Sequence, residues 1–170
     1  IISKLVSLAI CKYIEAVVEE DVFIKWPNDI YVGQKKICGI LIENQFKGKK
    51  IECAIVGIGL NVNQSNFQNL PRVTSLLLEL KKELELRSVL DGLLKSIEIC
   101  YLQFQQDGAT AIHEEYLSNL LFIGEMRRYK TFEGEMIGKI SNVLSNGQVE
   151  IETEDGQLFN FDIKELEFVF

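Results

Sequence analysis

The stretch Val22-Phe23-Ile24-Lys25-Trp26-Pro27-Asn28-Asp29-Ile30-Tyr31-Val32 decides the fold of the N-terminal part of this chain. Two apolar runs, each typical of a strand, flank a Pro-Asn-Asp turn. Pro27 cannot donate to a strand ladder, and Asn28 and Asp29 favour a turn. The stretch therefore predicts two strands joined by a turn that presents polar side chains where the first strand ends.

The flanking segments extend this pattern. From Ile2 to Val17, apolar residues recur every three or four positions, which predicts an amphipathic helix. On the other side, a hairpin across Gly33-Gln34 leads into a strand from Lys36 to Glu43. A turn at Lys47-Gly48-Lys49 then leads into an apolar strand from Ile51 to Leu60.

Helical patterns follow a polar loop that runs from Gln64 to Pro71. Helices are predicted over residues 74–86, 88–106 and 109–121. Helices packed on one side of an antiparallel or mixed sheet make an α+β domain.

After Gly124 the pattern changes to short alternating strands. They are predicted over residues 126–132, 136–143, 148–153, 158–163 and 167–170. Asn146-Gly147 and Asp155-Gly156 are strong signals for type I′ hairpin turns. A small closed β-barrel is expected here, with a boundary near Ile123 that divides the chain into domains 1–122 and 123–170.

Composition limits the function. The 170 residues carry a net charge of −7, so a general nucleic-acid role through these residues is not expected, because it needs a basic face. A single histidine excludes a His-based metal site, and no protein-built metal site is expected. Four scattered cysteines without a CxxC pair indicate reduced core thiols in a cytoplasmic protein. No apolar run is long enough to span a membrane.

Three glycines in predicted strands point to a ligand. Gly39 lies inside one apolar strand, and Gly57 and Gly59 lie one residue apart in another. A glycine weakens a strand by roughly 0.5–1 kcal/mol relative to alanine, so close approach of a ligand to the backbone is one explanation. A β-bulge at Gly39 is the other. Lys35 and Lys36, taken alone, fit solvated hairpin residues better than catalytic ones.

Familiar nucleotide-binding loops are missing. The third glycine of GxGxxG does not follow Gly57 and Gly59, and the chain holds no GxxxxGK[ST] loop. A Rossmann or P-loop phosphate site is therefore excluded.

Three motifs in series resemble the biotin protein ligases in order, spacing and identity, and the likeness runs over most of the chain. The motifs are Lys25-Trp26-Pro27-Asn28-Asp29-Ile30, Lys36-Ile37-Cys38-Gly39-Ile40-Leu41-Ile42-Glu43 and Gly57-Ile58-Gly59-Leu60-Asn61-Val62-Asn63.

The resemblance implies an α+β fold with a mixed or antiparallel sheet and helices, like that of class II aminoacyl-tRNA synthetases and biotin ligases, followed by a small all-β SH3-like barrel. It implies an enzyme that joins biotin to ATP, giving biotinyl-5′-adenylate and pyrophosphate. The biotinyl group would then pass to a lysine of the biotin carboxyl carrier domain of acetyl-CoA carboxylase. Mg2+ would accompany the nucleotide, and a homodimer through a strand edge near residues 42–48 is compatible with the family.

The resemblance also implies residue roles. Lys36 and Asp29 match catalytic positions, and Lys36 also matches a biotin contact. The other matched positions are Gly39, Leu41, Gly57 and Gly59 for biotin, and Lys25, Asn28 and Asn61 for the nucleotide.

One departure and two rivals remain. The family's Gly/Arg-rich loop lies upstream of these motifs and is absent here, so this chain, interpreted as a fragment, is expected to bind biotin and ATP poorly by itself. A lipoate or octanoate ligase or transferase of the same superfamily is the first rival. A non-enzymatic binding module is the second, and it predicts that Lys36 and Asn61 point to separate surfaces.

Overall fold

In the computed structural model the chain divides into two units, Ile1–Tyr116 and Leu117–Phe170. The structure describes residues 1–48, 50–68 and 70–170, without the side chains of residues 46 and 50. The predicted turn at Lys47-Gly48-Lys49 and the predicted loop from Gln64 to Pro71 therefore fall partly outside the described residues.

The first unit is an α+β assembly built on a four-stranded antiparallel sheet with the order β1-β2-β3-β4. Its elements are α1 (Ile2–Glu15), β1 (Val22–Lys25), β2 (Asp29–Val32), β3 (Lys35–Lys47), β4 (Lys50–Leu60), α2 (Leu76–Leu80) and α3 (Leu86–Ser118), the last running past the boundary. The predicted helix, strands and hairpins up to Leu60 are confirmed where the structure describes them.

One face of this sheet is buried. Ile24, Ile30 and Cys38 are register partners in successive strands, and each is at most 1% exposed. Helix α1 packs against β1 and β2, and Leu8 and Ile14 of its apolar stripe are fully buried. The opposite face of the sheet does not pack against α1 and can therefore carry residues of a functional site.

The helix predicted over residues 74–86 was wrong in its limits. Helix α2 spans only Leu76–Leu80, because Lys81 takes a left-handed conformation with φ of 54°. The helices predicted over residues 88–106 and 109–121 are confirmed as two helical segments of α3, because Gly108, with φ of 83° and ψ of −177°, interrupts the helix between them. No described helix has the length and apolarity needed to cross a membrane.

The second unit holds a five-stranded antiparallel sheet with the order β8-β7-β6-β5-β9. Its strands are β5 (Arg127–Thr131), β6 (Gly134–Val143), β7 (Val149–Glu152), β8 (Leu158–Phe161) and β9 (Leu166–Phe168), so all the predicted strands form. The core contains Tyr129, Ile140, Val149 and Ile151, each at most 1% exposed.

The expected type I′ turns do not form. Such a turn needs a positive φ at both central residues. Among the described residues of the two turns, only Gly147, with φ of 98°, and Gly156, with φ of 79°, have one. Each loop is instead closed by a bond from the glycine N–H to a carbonyl three residues earlier, on Leu144 or Thr153. In each of the two turns the glycine adopts the left-handed conformation, and the residue before it does not.

We expect Tyr129→Phe to raise the free energy of unfolding by about 1 kcal/mol at pH 7, because the Tyr129 hydroxyl is buried without a hydrogen-bond partner among the described residues. Burial also raises the pKa of Tyr129 from 10.0 to about 12. The folded state then holds this proton more tightly than the unfolded state, so stability falls as pH rises above 10.

Urea unfolding at pH 7 and at pH 11 measures both effects, and the variant should lose less stability between the two values than the parent. Tyr101→Phe is the control, since the Tyr101 ring is 49% exposed. A Tyr129→Phe protein less stable than the parent at pH 7 contradicts the prediction.

Candidate active site

One row of residues crosses all four strands on the open face of the first sheet. Lys25 pairs with Asp29, Asp29 with Gly39, and Gly39 with Gly59. Register partners point to the same face of a sheet. A cation, a carboxylate and two glycines, all singled out from the sequence, are thereby brought side by side.

A β-bulge brings Lys36 to this face. Between Ile30 and Tyr31 the pairing shifts, so that Ile30 faces Cys38 but Tyr31 faces Lys36. In a regular strand residues 36 and 39 would point to opposite faces, because successive side chains alternate. The extra residue, Ile37, removes that conflict.

The Lys36 ammonium is held beside the row. Its Nζ lies 2.6 Å from Asp29 Oδ1, and the two side chains are 38% and 18% exposed. A Cβ atom added at Gly39 would lie 3.4 Å from Lys36 Nζ and 3.5 Å from Asp29 Oδ1. A methyl group at position 39 would touch the ion pair at ordinary contact distance, so Gly39 leaves the space next to the pair open.

Next to the ion pair, Gly57 and Gly59 leave the strand backbone without covering side chains. Gly57 pairs with Leu41, one step along from the Gly39–Gly59 pair on the same face, and the Leu41 side chain is 63% exposed. Only backbone atoms and the Leu41 Cβ lie within 4 Å of a Cβ added at Gly57 or Gly59, none nearer than 3.6 Å. The fold itself therefore does not require glycine at these two positions. We name this strip, made of Gly39, Leu41, Gly57 and Gly59, the glycine trough.

The two asparagines lie at strand ends near this face, with their amide groups in use. Asn28 Nδ2 donates to the Ile40 carbonyl, and Asn61 Nδ2 donates to the Thr74 carbonyl at 3.0 Å. The Asn61 N–H donates to the Ile37 carbonyl at 3.0 Å, which ties the end of β4 to the bulge. These amide nitrogens stabilise the site, and the side-chain oxygens remain as possible ligand contacts.

Sequence reasoning missed two neighbours, Tyr31 and Arg72. The ring centroid of Tyr31 lies 5.9 Å from Lys25 Nζ. Burial raises the pKa of Tyr31, as does the negative charge of Asp29, whereas Arg72 acts in the opposite direction. Strand alternation from Asp29 would have indicated Tyr31. No local signal indicates Arg72, whose carbonyl accepts the Lys36 N–H at 2.9 Å.

Cys38 lies on the buried side of the same strand. Burial raises the pKa of its thiol to about 12, and the charge of Asp29 contributes in the same direction. The thiol stays protonated near neutral pH and does not act as a nucleophile there. Across the described part of the chain, no group of three or more His, Cys, Asp or Glu side chains could hold a metal ion.

The local charge differs in sign from that of the whole chain. Lys36 forms an ion pair with Asp29, Lys25 is the register partner of Asp29, and the charge of Arg72 acts on Tyr31, in a chain with a net charge of −7. A bare strip of backbone next to an excess of positive charge can hold a flat ligand that carries an anionic group. Lys36 and the end of β4 converge on one face, which argues against the separate surfaces that a non-enzymatic module predicts.

The residues of this site match a known protein family. Residues 1–61, which contain the row and the trough, match the family described as the Biotin/lipoate A/B protein ligase family. The bifunctional ligase/repressor BirA of Bacillus subtilis is 31% identical over 169 residues, covering 96% of this chain and 52% of that protein. Biotin–protein ligase 2 of Arabidopsis thaliana is 28% identical over 134 residues, covering 74% of this chain and 40% of that protein. The chain thus spans about half the length, or less, of these relatives.

Solved structures give the same fold. The apo structure of biotin protein ligase from Aquifex aeolicus matches with a TM-score of 0.77 and 28% identity, covering 99% of this chain and 74% of that one. The same enzyme in complex with biotin and ATP matches with a TM-score of 0.76 and 28% identity, covering 98% and 69% of the two chains. The α+β fold class expected from the sequence is confirmed.

We expect Gly59→Ala to change the free energy of unfolding by less than about 1 kcal/mol, because the added methyl group meets only ordinary contacts. Gly138→Ala is the comparison, since its methyl group would lie 2.5 Å from Ile151 Cγ2 and 2.9 Å from the Glu152 carbonyl oxygen. That crowding should cost about 1–3 kcal/mol. Urea unfolding of both variants measures the difference, and a destabilised Gly59→Ala protein would mean that the trough is a packing feature.

Proposed function

We propose, on the premise that this chain is related to the biotin protein ligases, that it belongs to an enzyme that attaches biotin to a carrier protein at the expense of ATP. The observation that carries the proposal is the Lys36–Asp29 pair, 2.6 Å apart, at the edge of the glycine trough. Because the chain spans about half the length of its curated relatives, the activity is that of the whole protein containing it.

In the first step a carboxylate oxygen of biotin attacks the α-phosphate of ATP. A new P–O bond forms to the acid, the bond to the leaving pyrophosphate breaks, and biotinyl-5′-adenylate results. Two anions must approach each other, so a cation between them lowers the barrier. Lys36 is suited to that position, because Gly39 leaves the space around its ammonium open.

In the second step the amine of a carrier lysine attacks the acyl carbon and AMP leaves. An ammonium has no lone pair, so the incoming lysine must first lose a proton. Asp29 holds the Lys36 ammonium in an ion pair. When Lys36 turns to the phosphate, the Asp29 carboxylate becomes available to accept that proton and to position the amine.

The remaining positions bind the two substrates. The glycine trough and Lys36 would hold biotin against the backbone, and Lys25, Asn28 and Asn61 would contact the adenylate. For the asparagines the contact falls to the side-chain oxygens, because the amide nitrogens are already bonded within the chain. Mg2+ would be bound through the nucleotide phosphates, since the described side chains offer it no cage.

The wider assignment is part of the same proposal. Residues 1–122 form part of a catalytic domain and residues 123–170 an SH3-like domain, in a cytoplasmic enzyme whose carrier is the biotin carboxyl carrier domain of acetyl-CoA carboxylase. A homodimer is compatible with the fold, because β3 beyond Gly39 pairs only with β4 among the described strands.

We expect Lys36→Ala in the whole protein to lower biotin-dependent ATP–pyrophosphate exchange by about 10²–10³-fold without changing stability, since one electrostatic contact to the reacting phosphate is lost. Lys35→Ala is the matched control, because Lys35 is the exposed neighbour in the same hairpin. Exchange at the parent rate in Lys36→Ala removes this residue from the mechanism. Lipoate and octanoate replace biotin in parallel assays, and faster exchange with either would favour the lipoate branch of the family.

Asp29→Asn should separate the two steps. We expect transfer from preformed biotinyl-adenylate to the carrier to fall about 10²-fold, because the proton acceptor is lost, and adenylate formation to fall much less. Single-turnover assays of each step measure the ratio. If both steps decline equally, Asp29 only holds Lys36 in place.

A further inference from the structure

The second unit carries a cleft that the proposed reaction does not use. It has a volume of about 590 Å3 and lies between the β5–β6 turn and strand β8. Apolar side chains line it, including Phe132 and Phe159, which are 79% and 41% exposed. Aromatic rings this exposed on the lip of a cleft mark a surface suited to an apolar partner group.

The charge of the cleft is negative. Glu133, Glu135 and Glu165 line it, and no lysine, arginine or histidine is among its described lining residues. Of the three carboxylates, only Glu135 forms an ion pair within the described residues, with Arg128 at 3.2 Å. The partner that complements this surface carries positive charge beside its apolar group.

Strand β8 adds an open backbone edge. It is the end strand of the sheet, paired only with β7 among the described strands. The Thr153 N–H donates to the Gln157 carbonyl at 3.0 Å, so these two residues form a hydrogen-bonded pair. Along antiparallel strands, hydrogen-bonded pairs alternate with pairs that are not hydrogen-bonded. Phe159 and Phe161 then direct their peptide groups towards β7, while Leu158 and Asn160 direct theirs outwards.

We propose that β8 and its cleft form a docking site for an extended segment of a partner protein that carries lysine or arginine next to an apolar residue. The segment adds to the sheet through the outward peptide groups of Leu158 and Asn160. Its apolar side chain packs on Phe132 and Phe159, and its cation pairs with Glu133 or Glu165. An acidic segment is repelled, and a helix cannot use the open edge.

Two synthetic heptapeptides of equal apolar content test this with the 170-residue chain. One alternates lysine and valine and the other alternates glutamate and valine, both with blocked ends. Titration followed by NMR should show shifts at residues 131–136 and 158–161 with the lysine peptide, and binding at least 10-fold weaker with the glutamate peptide. Equal binding of both peptides, binding of neither at millimolar concentration, or shifts elsewhere would overturn the proposal.

Three variants and one control variant locate the contacts. Phe132→Ala and the pair Glu133→Gln/Glu165→Gln should each weaken binding of the lysine peptide at least 5-fold, whereas Glu154→Gln, a charge change outside the cleft, should not. Asn160→Pro removes an outward N–H that β7 does not use, so the sheet should persist while binding falls. Parent-like binding in both Phe132→Ala and the double glutamine variant contradicts the site, whatever the proline variant does.

Discussion

The β-bulge at Ile37 is the constraint on which the candidate active site depends. Without it, strand alternation would place the Lys36 ammonium on the side of the sheet occupied by helix α1. The bulge is anchored from two directions, because the Ile37 side chain is fully buried and its carbonyl accepts the Asn61 N–H. The same backbone distortion thus fixes the lysine, the asparagine at the end of β4 and the carboxylate of Asp29 relative to one another.

The two faces of the first sheet have different roles. One stabilises the fold, and the other carries the candidate active site. Ile24 and Ile30 are fully buried on one face, and burial of each contributes about 1.5–3 kcal/mol. The glycines on the other face cost about 0.5–1 kcal/mol each relative to alanine. The buried face therefore outweighs the loss, and the sheet can leave a strip of backbone uncovered beside a charged pair.

Local patterns predicted most of the fold, and long-range pairing explains what they missed. The turn at Pro27, the strands and the common face of Gly39, Leu41, Gly57 and Gly59 follow from residue preference and alternation. The bulge was not predictable as such, because it depends on how β2 meets β3. The neighbouring position of Arg72 depends on a backbone bond to Lys36 that leaves no periodic signal. The limits predicted for the helix over residues 74–86 failed for a different reason, since Lys81, which has a positive φ, ends α2.

The backbone hydrogen bonds of Lys36 also affect the order in which parts of the chain fold. Its N–H donates to the Arg72 carbonyl and its carbonyl accepts from the Thr74 N–H, so a distant stretch of chain must return to the start of β3. The loop that these bonds close contains the β3–β4 hairpin. The entropy of closing this long loop must be overcome before the bonds can form. We therefore expect the local β3–β4 hairpin to form before Lys36 acquires its backbone bonds to Arg72 and Thr74.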